Sequence, residues 1–188
     1  MTRWQVSAVE RALMVGISAF LFVELFQLNG FLFEAIEHAQ GINWVFLPAG
    51  FRVLLVLILD WPGAVGIALG TLWLQSHFNT TPALPMLLIS MASGIAPWLV
   101  KRWLEQRNVL HPELKQINSA SLLQYVLVYA AVNAISHQAL FWGFSVTDSR
   151  PWIDVWPMFM GDMVGALIVL YTFKLSLPWM RSVVRRRV

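Results

Sequence analysis

Four ionisable side chains lie deep within long apolar stretches of the sequence, well away from their ends, where each needs an environment other than lipid. They are Glu24, Arg52, His137 and Asp162. An ionised side chain at the centre of a bilayer costs about 2.5 to 3.5 kcal/mol on insertion scales, so such residues usually face protein groups or water. An arginine can donate two parallel hydrogen bonds to one carboxylate, and a histidine can donate to another. These residues therefore predict either a buried ligand site or an ion-pair network that fixes helix packing.

A polar stripe adds a fifth residue to this set. Tyr125, Tyr129, Asn133 and His137 recur at intervals of four, which places them on one face of a helix whose other residues are mostly apolar. That face cannot point at lipid, so it either lines a cavity or forms hydrogen bonds to neighbouring helices. The predicted ligand-binding residues are therefore Glu24, Arg52, Asn133, His137 and Asp162.

The composition shows what kind of protein positions these residues. Of the 188 residues, 58% are hydrophobic and 12% are charged, whereas soluble domains are roughly 25% charged. Apolar runs long enough to cross a bilayer occur at residues 12–33, 44–60, 62–78, 84–104, 122–144 and 155–177. The sequence thus predicts an all-α integral membrane protein, a single domain of six transmembrane helices over residues 1–188.

The second and third runs meet at Asp60-Trp61-Pro62-Gly63. Proline and glycine are the strongest interrupters of regular structure, so these four residues predict a tight turn. The two runs should then form a helical hairpin.

Basic residues flank the predicted spans in a consistent pattern. Arg3 and Arg11 precede the first span, a group from Lys101 to Lys115 separates the fourth from the fifth, and arginines follow the sixth. Six spans with both termini in the cytoplasm place all of these clusters on the inner side. The high isoelectric point therefore reflects membrane orientation, and we expect no nucleic-acid partner. A cleavable signal peptide would also explain the first apolar run, but its length and Glu24 favour a span.

The sequence lacks the common signatures of catalysis and metal binding. It contains no cysteine, no His-Glu-x-x-His pattern and no Gly-x-Ser-x-Gly pattern. Glu34, Glu37 and His38 form one short group of potential metal ligands, but a hydrated helix end explains them better than a metal site. We therefore expect a protein that is not an enzyme, has no catalytic or metal-binding residues, and carries no cofactor that the sequence identifies.

Small residues on several spans permit neighbouring helices to approach closely. They are Gly63, Gly66, Gly70, Ser90, Ser93, Gly94, Gly161 and Gly165. We expect them to mediate packing within the chain. Ala8, Ala12 and Gly16 repeat at intervals of four before and in the first span, and could receive a partner helix.

Two blocks of the sequence are similar to a known family. The segment from Asn43 through Pro48, Gly50 and Arg52, followed by Trp61-Pro62-Gly63 and a helix with Gly66 and Gly70, resembles the membrane-associated sensor domain of the first type. Residues 160–170, with the pattern Gly161-Asp162-x-x-Gly165, resemble a second motif of that family. The chain has one proline where the first motif usually has two, and it lacks the proline that usually follows the second.

The resemblance implies a bacterial inner-membrane module whose site centres on Pro48, Gly50, Arg52, Gly161, Asp162 and Gly165. Members of the family usually have more spans and a cytoplasmic output domain, so a signal here is expected to pass to a separate protein. Six spans and the pair Ala8 and Ala12 are also similar to the substrate-binding components of energy-coupling-factor vitamin transporters.

The expected function is therefore that of a non-enzymatic, multi-pass, sensor-like or ligand-binding module. Arg52 and Asp162 would form the central pair of a pocket open to the outside, with Glu24, Asn133 and His137 lining it. The expected partners are the lipid bilayer, a separate membrane or cytoplasmic protein, and a small molecule whose identity the sequence does not indicate. A solute-binding transport component and a non-catalytic subunit of a larger membrane complex are the alternatives.

Overall fold

Six α-helices make up nearly all of the computed structural model, which describes residues 7–33, 35, 37–39, 42–78, 81–111, 118–146, 148 and 150–185. The helices are α1 (Ala8–Phe33), α2 (Leu47–Leu59), α3 (Trp61–Phe78), α4 (Ala83–Gln106), α5 (Ser119–Gly143) and α6 (Pro151–Arg185). Two short antiparallel strands, β1 (Glu37–Ala39) and β2 (Ile42–Asn43), lie between α1 and α2. The expected all-α class and the number of helices are confirmed.

Four of the helices are long and apolar enough to cross a membrane: α1, α4, α5 and the part of α6 from Pro151 to Ser176. The chain is thus a multi-pass membrane protein. The helix α2 has only 13 residues, so it is about 20 Å long, against about 30 Å for the hydrocarbon core of a bilayer. The helix α2 by itself is therefore too short to cross that core.

The segment that precedes α2, residues 42–46, runs back into the bundle from the strands that follow α1 and is called the re-entrant segment below. The backbone N–H of Phe46 donates to the carbonyl of Gly161 over 3.1 Å, and Ile42 is buried. Gly161 lies about 15 Å along α6 from its first residue, at 1.5 Å per residue. Non-helical backbone at such a depth is tolerated only where protein or a water-filled cavity surrounds it, and here α6 covers it.

The re-entrant segment also corrects the predicted start of the second span. The sequence predicted that this span begins at residue 44, whereas the helix begins at Leu47. The N–H of Phe46 is directed to Gly161 of α6 instead of to a preceding turn. The first N–H of α2, that of Leu47, is capped by the Asn29 side chain of α1 over 2.8 Å.

The predicted hairpin of α2 and α3 is present, but its turn is shorter than expected. Only Asp60 lies outside the two helices, with φ of 56°, and Trp61, Pro62 and Gly63 begin α3. The prediction of a four-residue turn was therefore wrong for its last three residues, because proline is tolerated in the first turn of a helix. A Cβ at Gly63 would lie 2.5 Å from the Leu55 carbonyl oxygen, so close packing requires glycine there.

The predicted role of the small residues in packing within the chain is confirmed. A Cβ on Gly66 of α3 would lie 2.5 Å from Cβ of Ser18 in α1, and one on Gly70 would lie 3.0 Å from a carbonyl oxygen of the same helix. Gly94 of α4 packs in the same way against the backbone of α3. A Cβ added to Gly16 would meet nothing within 4 Å among the described residues, so docking of a partner helix there stays a prediction.

Basic residues from α1 and α4 meet at one end of the bundle, called the basic end below. Lys101 and Arg102 pair with Asp60 over 3.0 and 2.9 Å, and both also pair with Glu105. The guanidinium of Arg11 lies 6.0 Å from the ring centre of Trp61, next to this network. Arg3, Glu34 and Lys115 lie outside the described residues.

Candidate functional site

Arg52 is held near the centre of the bundle because α2 begins inside it. Its side chain is buried, with the residue 4% exposed. One guanidinium nitrogen, Nη1, donates to the Tyr129 hydroxyl and to Asn133 Oδ1, and the other, Nη2, donates to Ser93 Oγ, each over 3.4 Å. Arg52 thus connects α2 to α4 and α5.

The hydrogen bonds of this guanidinium are long and incomplete. Typical N–H···O distances are about 2.9 to 3.0 Å, and bonds from arginine to carboxylate are shorter still. Nε of Arg52 is the one buried side-chain nitrogen or oxygen without a hydrogen-bond partner in the described part of the chain. The rings of Phe22 and Phe46 lie 5.0 and 5.3 Å from the guanidinium carbon, which stabilises the cation through the ring faces.

Asn133 stands between the arginine and the acid that the sequence paired with it. Its Oδ1 accepts from Arg52, and its Nδ2 donates to Asp162 Oδ2 over 2.6 Å. No direct ion pair joins Arg52 to Asp162 among the described side chains. The expectation that the two residues lie in one buried layer is confirmed, but the expected direct pair is replaced by an amide bridge.

His137 is bound to a serine and a backbone carbonyl instead of to a carboxylate. Its Nδ1 lies 3.0 Å from the carbonyl oxygen of Asn133, and its Nε2 lies 3.0 Å from Ser93 Oγ. Because a carbonyl only accepts, Nδ1 carries the hydrogen, and Nε2 of the neutral ring accepts from the serine hydroxyl. The expectation that His137 donates to an acid was therefore wrong.

The polar stripe on α5 is buried along its whole length, so it does not face lipid. Tyr125, Tyr129, Asn133 and His137 are all at most 3% exposed. The Tyr125 hydroxyl donates to the Pro97 carbonyl of α4 over 2.8 Å, which extends the contact of α4 and α5 beyond the arginine. The stripe thus supplies hydrogen bonds between helices, which is one of the two roles that the sequence predicted for it.

Glu24 does not join the other predicted site residues, and its assignment to the pocket was wrong. It is exposed on the surface of α1. The buried residues of this helix are Ser18, Phe22 and Asn29, which lie on one face at intervals of four and seven. Glu24 follows Phe22 by two residues, about 200° around the helix, and therefore points away from the network.

Two residues of the site were not predicted as functional. Ser93, which had been assigned only to packing, joins Arg52 to His137. The sequence prediction did not include Asn29, which caps α2. The available signal was its spacing from Ser18, since a separation of about eleven residues corresponds to three helical turns and places both polar residues on one face.

Gly50, Gly161 and Gly165 of the family-like motifs lie where α2 and the re-entrant segment contact α6. A Cβ on Gly50 would lie 2.5 Å from Cβ of Val169 and 2.9 Å from the Gly165 carbonyl oxygen. Gly161 and Gly165 face the backbone of the re-entrant segment so closely that no side chain can be added. Pro48 is buried in the first turn of α2. This contact places Arg52 and Asp162 on opposite sides of Asn133.

A second polar contact lies at the other end of α6. His38 Nε2 is 3.1 Å from Asp154 Oδ1, and the other carboxylate oxygen of Asp154 accepts from the backbone N–H of Arg150 over 2.7 Å. The His38 ring also lies edge-on against Trp44. No group of three potential metal ligands occurs within the described ranges, and Glu34 lies outside them.

In this network the Arg52 guanidinium is connected to the Asp162 carboxylate through the neutral Asn133 side chain. The Nε–H of Arg52 has no partner among the described residues. Such an arrangement can bind a hydrogen-bond acceptor or transmit a shift of α2 to α4, α5 and α6. In comparison with known proteins, the chain matches no family model, no curated protein and no solved structure.

Proposed function

We propose that the protein is a non-enzymatic, sensor-like membrane module whose ligand binds at Arg52. One observation carries the proposal: a fully buried guanidinium forms only 3.4 Å bonds to neutral groups, and its Nε has no partner in the described chain. Arginines that serve packing alone are expected to satisfy their donors, because an unpaired buried donor costs about 1 to 3 kcal/mol. A ligand that accepts from Nε would recover this free energy.

The charges of the site indicate the chemistry of the ligand. Arg52 and Asp162 carry opposite charges and are connected through Asn133. A ligand without net charge preserves this balance, whereas a second anion would have to compete with Asp162. The rings of Phe22 and Phe46 beside the guanidinium favour an apolar or aromatic body. We therefore propose a small, neutral molecule with a carbonyl acceptor and an apolar part.

Binding would be reported through the helices that Arg52 connects. An acceptor at Nε would draw the guanidinium away from Ser93, Tyr129 and Asn133, whose bonds to it are already long. These residues belong to α4 and α5, so their packing against α2 would change. A separate protein that binds the basic end would respond to this change. A ligand shifts such an equilibrium only by its difference in affinity for the two packings.

The proposed topology has six spans, with both termini in the cytoplasm of a bacterium and the module in its inner membrane. The support is that Arg11, Lys101 and Arg102 lie together at the basic end, as the distribution of basic residues in membrane proteins favours. The opposite end, with His38 and Asp154, would then face outward.

A transport component is the second candidate, and the re-entrant segment favours it. Transporters often build their sites from discontinuous helices whose non-helical parts lie near the middle of the bilayer. The short α2 and the contact of Phe46 with Gly161 have this form. Uptake of a bound probe into vesicles containing the purified protein would separate transport from sensing.

The proposal is tested with a matched pair of probes, benzamide and benzoate, which differ in charge and share a ring and a carbonyl. Thermal unfolding of the purified protein is followed with each probe. We expect benzamide to raise the midpoint more than benzoate in the wild type, and neither to raise it in Arg52→Lys, which keeps the charge but lacks Nε. Gln75→Ala is the control, because Gln75 binds Ser90 outside the network, and it should respond as the wild type does.

Two results would overturn the proposed site. The first is an unchanged midpoint of the wild type with both probes. The second is an equal rise in the wild type and in Arg52→Lys, which would place the binding elsewhere in the molecule.

A further inference from the structure

We infer that an anionic phospholipid binds in the groove of α5 and α6 at the basic end. A cavity of about 150 Å³ opens there. Its walls are apolar, with Leu122 and Val126 from α5 and Leu167 and Leu170 from α6, and its polar lining includes Ser119 and Lys174. These residues are separate from the Arg52 network, so the inference does not depend on the proposed function.

The order of these residues along the helices matches the order of groups in a lipid. Ser119 is the first residue of α5, and Lys174 lies at the same end of the groove because α5 and α6 are antiparallel neighbours. Val126 and Leu167 lie seven residues further in on their helices, about 10 Å deeper. The groove therefore presents a cation and a hydroxyl at one end and a hydrocarbon wall at the other.

Lys174 decides the charge of the headgroup. Among the described residues that line the cavity it is the one charged side chain, and none of them is acidic. It is also exposed. The N-terminus of α5 is capped by Asn118, which accepts from the Ser121 N–H, and the positive end of the helix dipole at Ser119 still favours a nearby anion. A phosphate with a net negative charge thus has two favourable contacts, and its acyl chain has the apolar wall.

The groove opens sideways, where a membrane supplies its occupant. Leu123, Leu167 and Tyr171 on its rim are 43%, 39% and 64% exposed. On a helix that crosses a bilayer, such a surface faces acyl chains. A tyrosine at the polar end of an apolar wall is also typical of the headgroup level. The lipid is therefore expected to enter from the bilayer.

The test measures lipid binding to the full-length protein in detergent by native mass spectrometry. The probes are dioleoylphosphatidylglycerol, which is anionic, and dioleoylphosphatidylcholine, which has no net charge. We expect the wild type to bind the anionic lipid about fivefold more tightly, since one lysine near the surface favours an anionic headgroup by about that factor. Lys174→Gln should abolish the preference.

Two further variants separate this site from general electrostatic attraction and from misfolding. Arg107→Gln removes one exposed charge beside Trp103, outside the groove, and should keep the full preference. Leu122→Trp fills the apolar wall and should weaken binding of both lipids while Lys174 remains.

Three results would overturn the inference. They are equal binding of the two lipids by the wild type, the same loss of preference in Lys174→Gln and Arg107→Gln, and displacement of the anionic lipid by inorganic phosphate. The last result would identify a free anion as the occupant.

Discussion

A single amide separates the buried side chains of Arg52 and Asp162, and it decides how they interact. Asn133 accepts from Arg52 and donates to Asp162, while its backbone carbonyl binds His137. Both side chains are buried, so each needs a polar partner inside the protein, and the Asn133 amide supplies one to each. Asn133 thus belongs to both halves of the network.

Replacement of Asn133 by leucine should therefore cost more than the loss of an ordinary buried amide. Asn133→Leu leaves Arg52 and Asp162 without their shared partner, and because a hydrogen bond to a charged group contributes about 1.5 to 3 kcal/mol, the loss of two should cost about 3 kcal/mol or more. Gln75→Leu removes a hydrogen bond from one neutral group to another and should cost about 1 kcal/mol. Reversible unfolding in mixed micelles compares the free energies of the two variants. Equal losses would show that the bridge does not act on charges.

At the scale of the helices, the glycine face of α6 makes room for a segment that is not helical. The backbone of Asn43 and Phe46 lies against Gly161 and Gly165, and this contact fixes where α2 begins. The first residue of α2 determines how deep in the bundle Arg52 lies. The two glycines therefore position Arg52, although neither of them belongs to its hydrogen-bond network. Their role is steric.

Gly161→Ala should consequently displace the re-entrant segment. The added methyl group would overlap the Asn43 carbonyl, and overpacking of this kind costs about 1 to 3 kcal/mol. Gly16→Ala is the matched control, because its methyl group meets no described atom within 4 Å and alanine favours a helix by about 1 kcal/mol. Thermal unfolding should show a lower midpoint for the first variant and an unchanged or higher midpoint for the second. A stable Gly161→Ala would contradict the tight contact.

Across the whole molecule, charge separates the two ends of the bundle. Lys101, Arg102, Asp60 and Glu105 form an interlinked network at the basic end, whereas Asp154 and His38 pair at the other. This distribution is the basis of the proposed orientation, and it can be measured directly because the chain contains no cysteine.

Single cysteines placed at the two ends should react from opposite sides of the membrane. Gln106→Cys lies exposed at the end of α4, and Asp148→Cys lies exposed beyond α5. With a maleimide that cannot cross the membrane, we expect Asp148→Cys to react in intact cells and Gln106→Cys to react only in inverted vesicles. The wild type serves as the unreactive control. The reverse pattern would contradict the proposed orientation.

The sequence predicted the parts of the fold that depend on residue type and missed those that depend on rotation and depth. Long apolar runs predicted the helices. The ionisable residues within these runs predicted three members of the buried network, Arg52, His137 and Asp162. Glu24 is also an ionisable residue within an apolar run, but it lies on the exposed side of its helix. The buried face of α1 carries Ser18, Phe22 and Asn29. Composition does not specify the rotation of a helix about its axis, so the sequence did not show which face would be buried. The re-entrant segment depends on Gly161, which contacts it only after the chain has folded.

The distance along the chain from the re-entrant segment to α6 also bears on biosynthesis. Phe46 leaves the ribosome before α3, α4 and α5, but the carbonyl that receives its N–H belongs to Gly161. Until α6 has been made, the N–H of Phe46 lacks the acceptor that it has in the folded protein, whereas Arg52 can already contact α1, α4 and α5. The segment that precedes α2 therefore reaches its final hydrogen bond only after most of the chain has been synthesised.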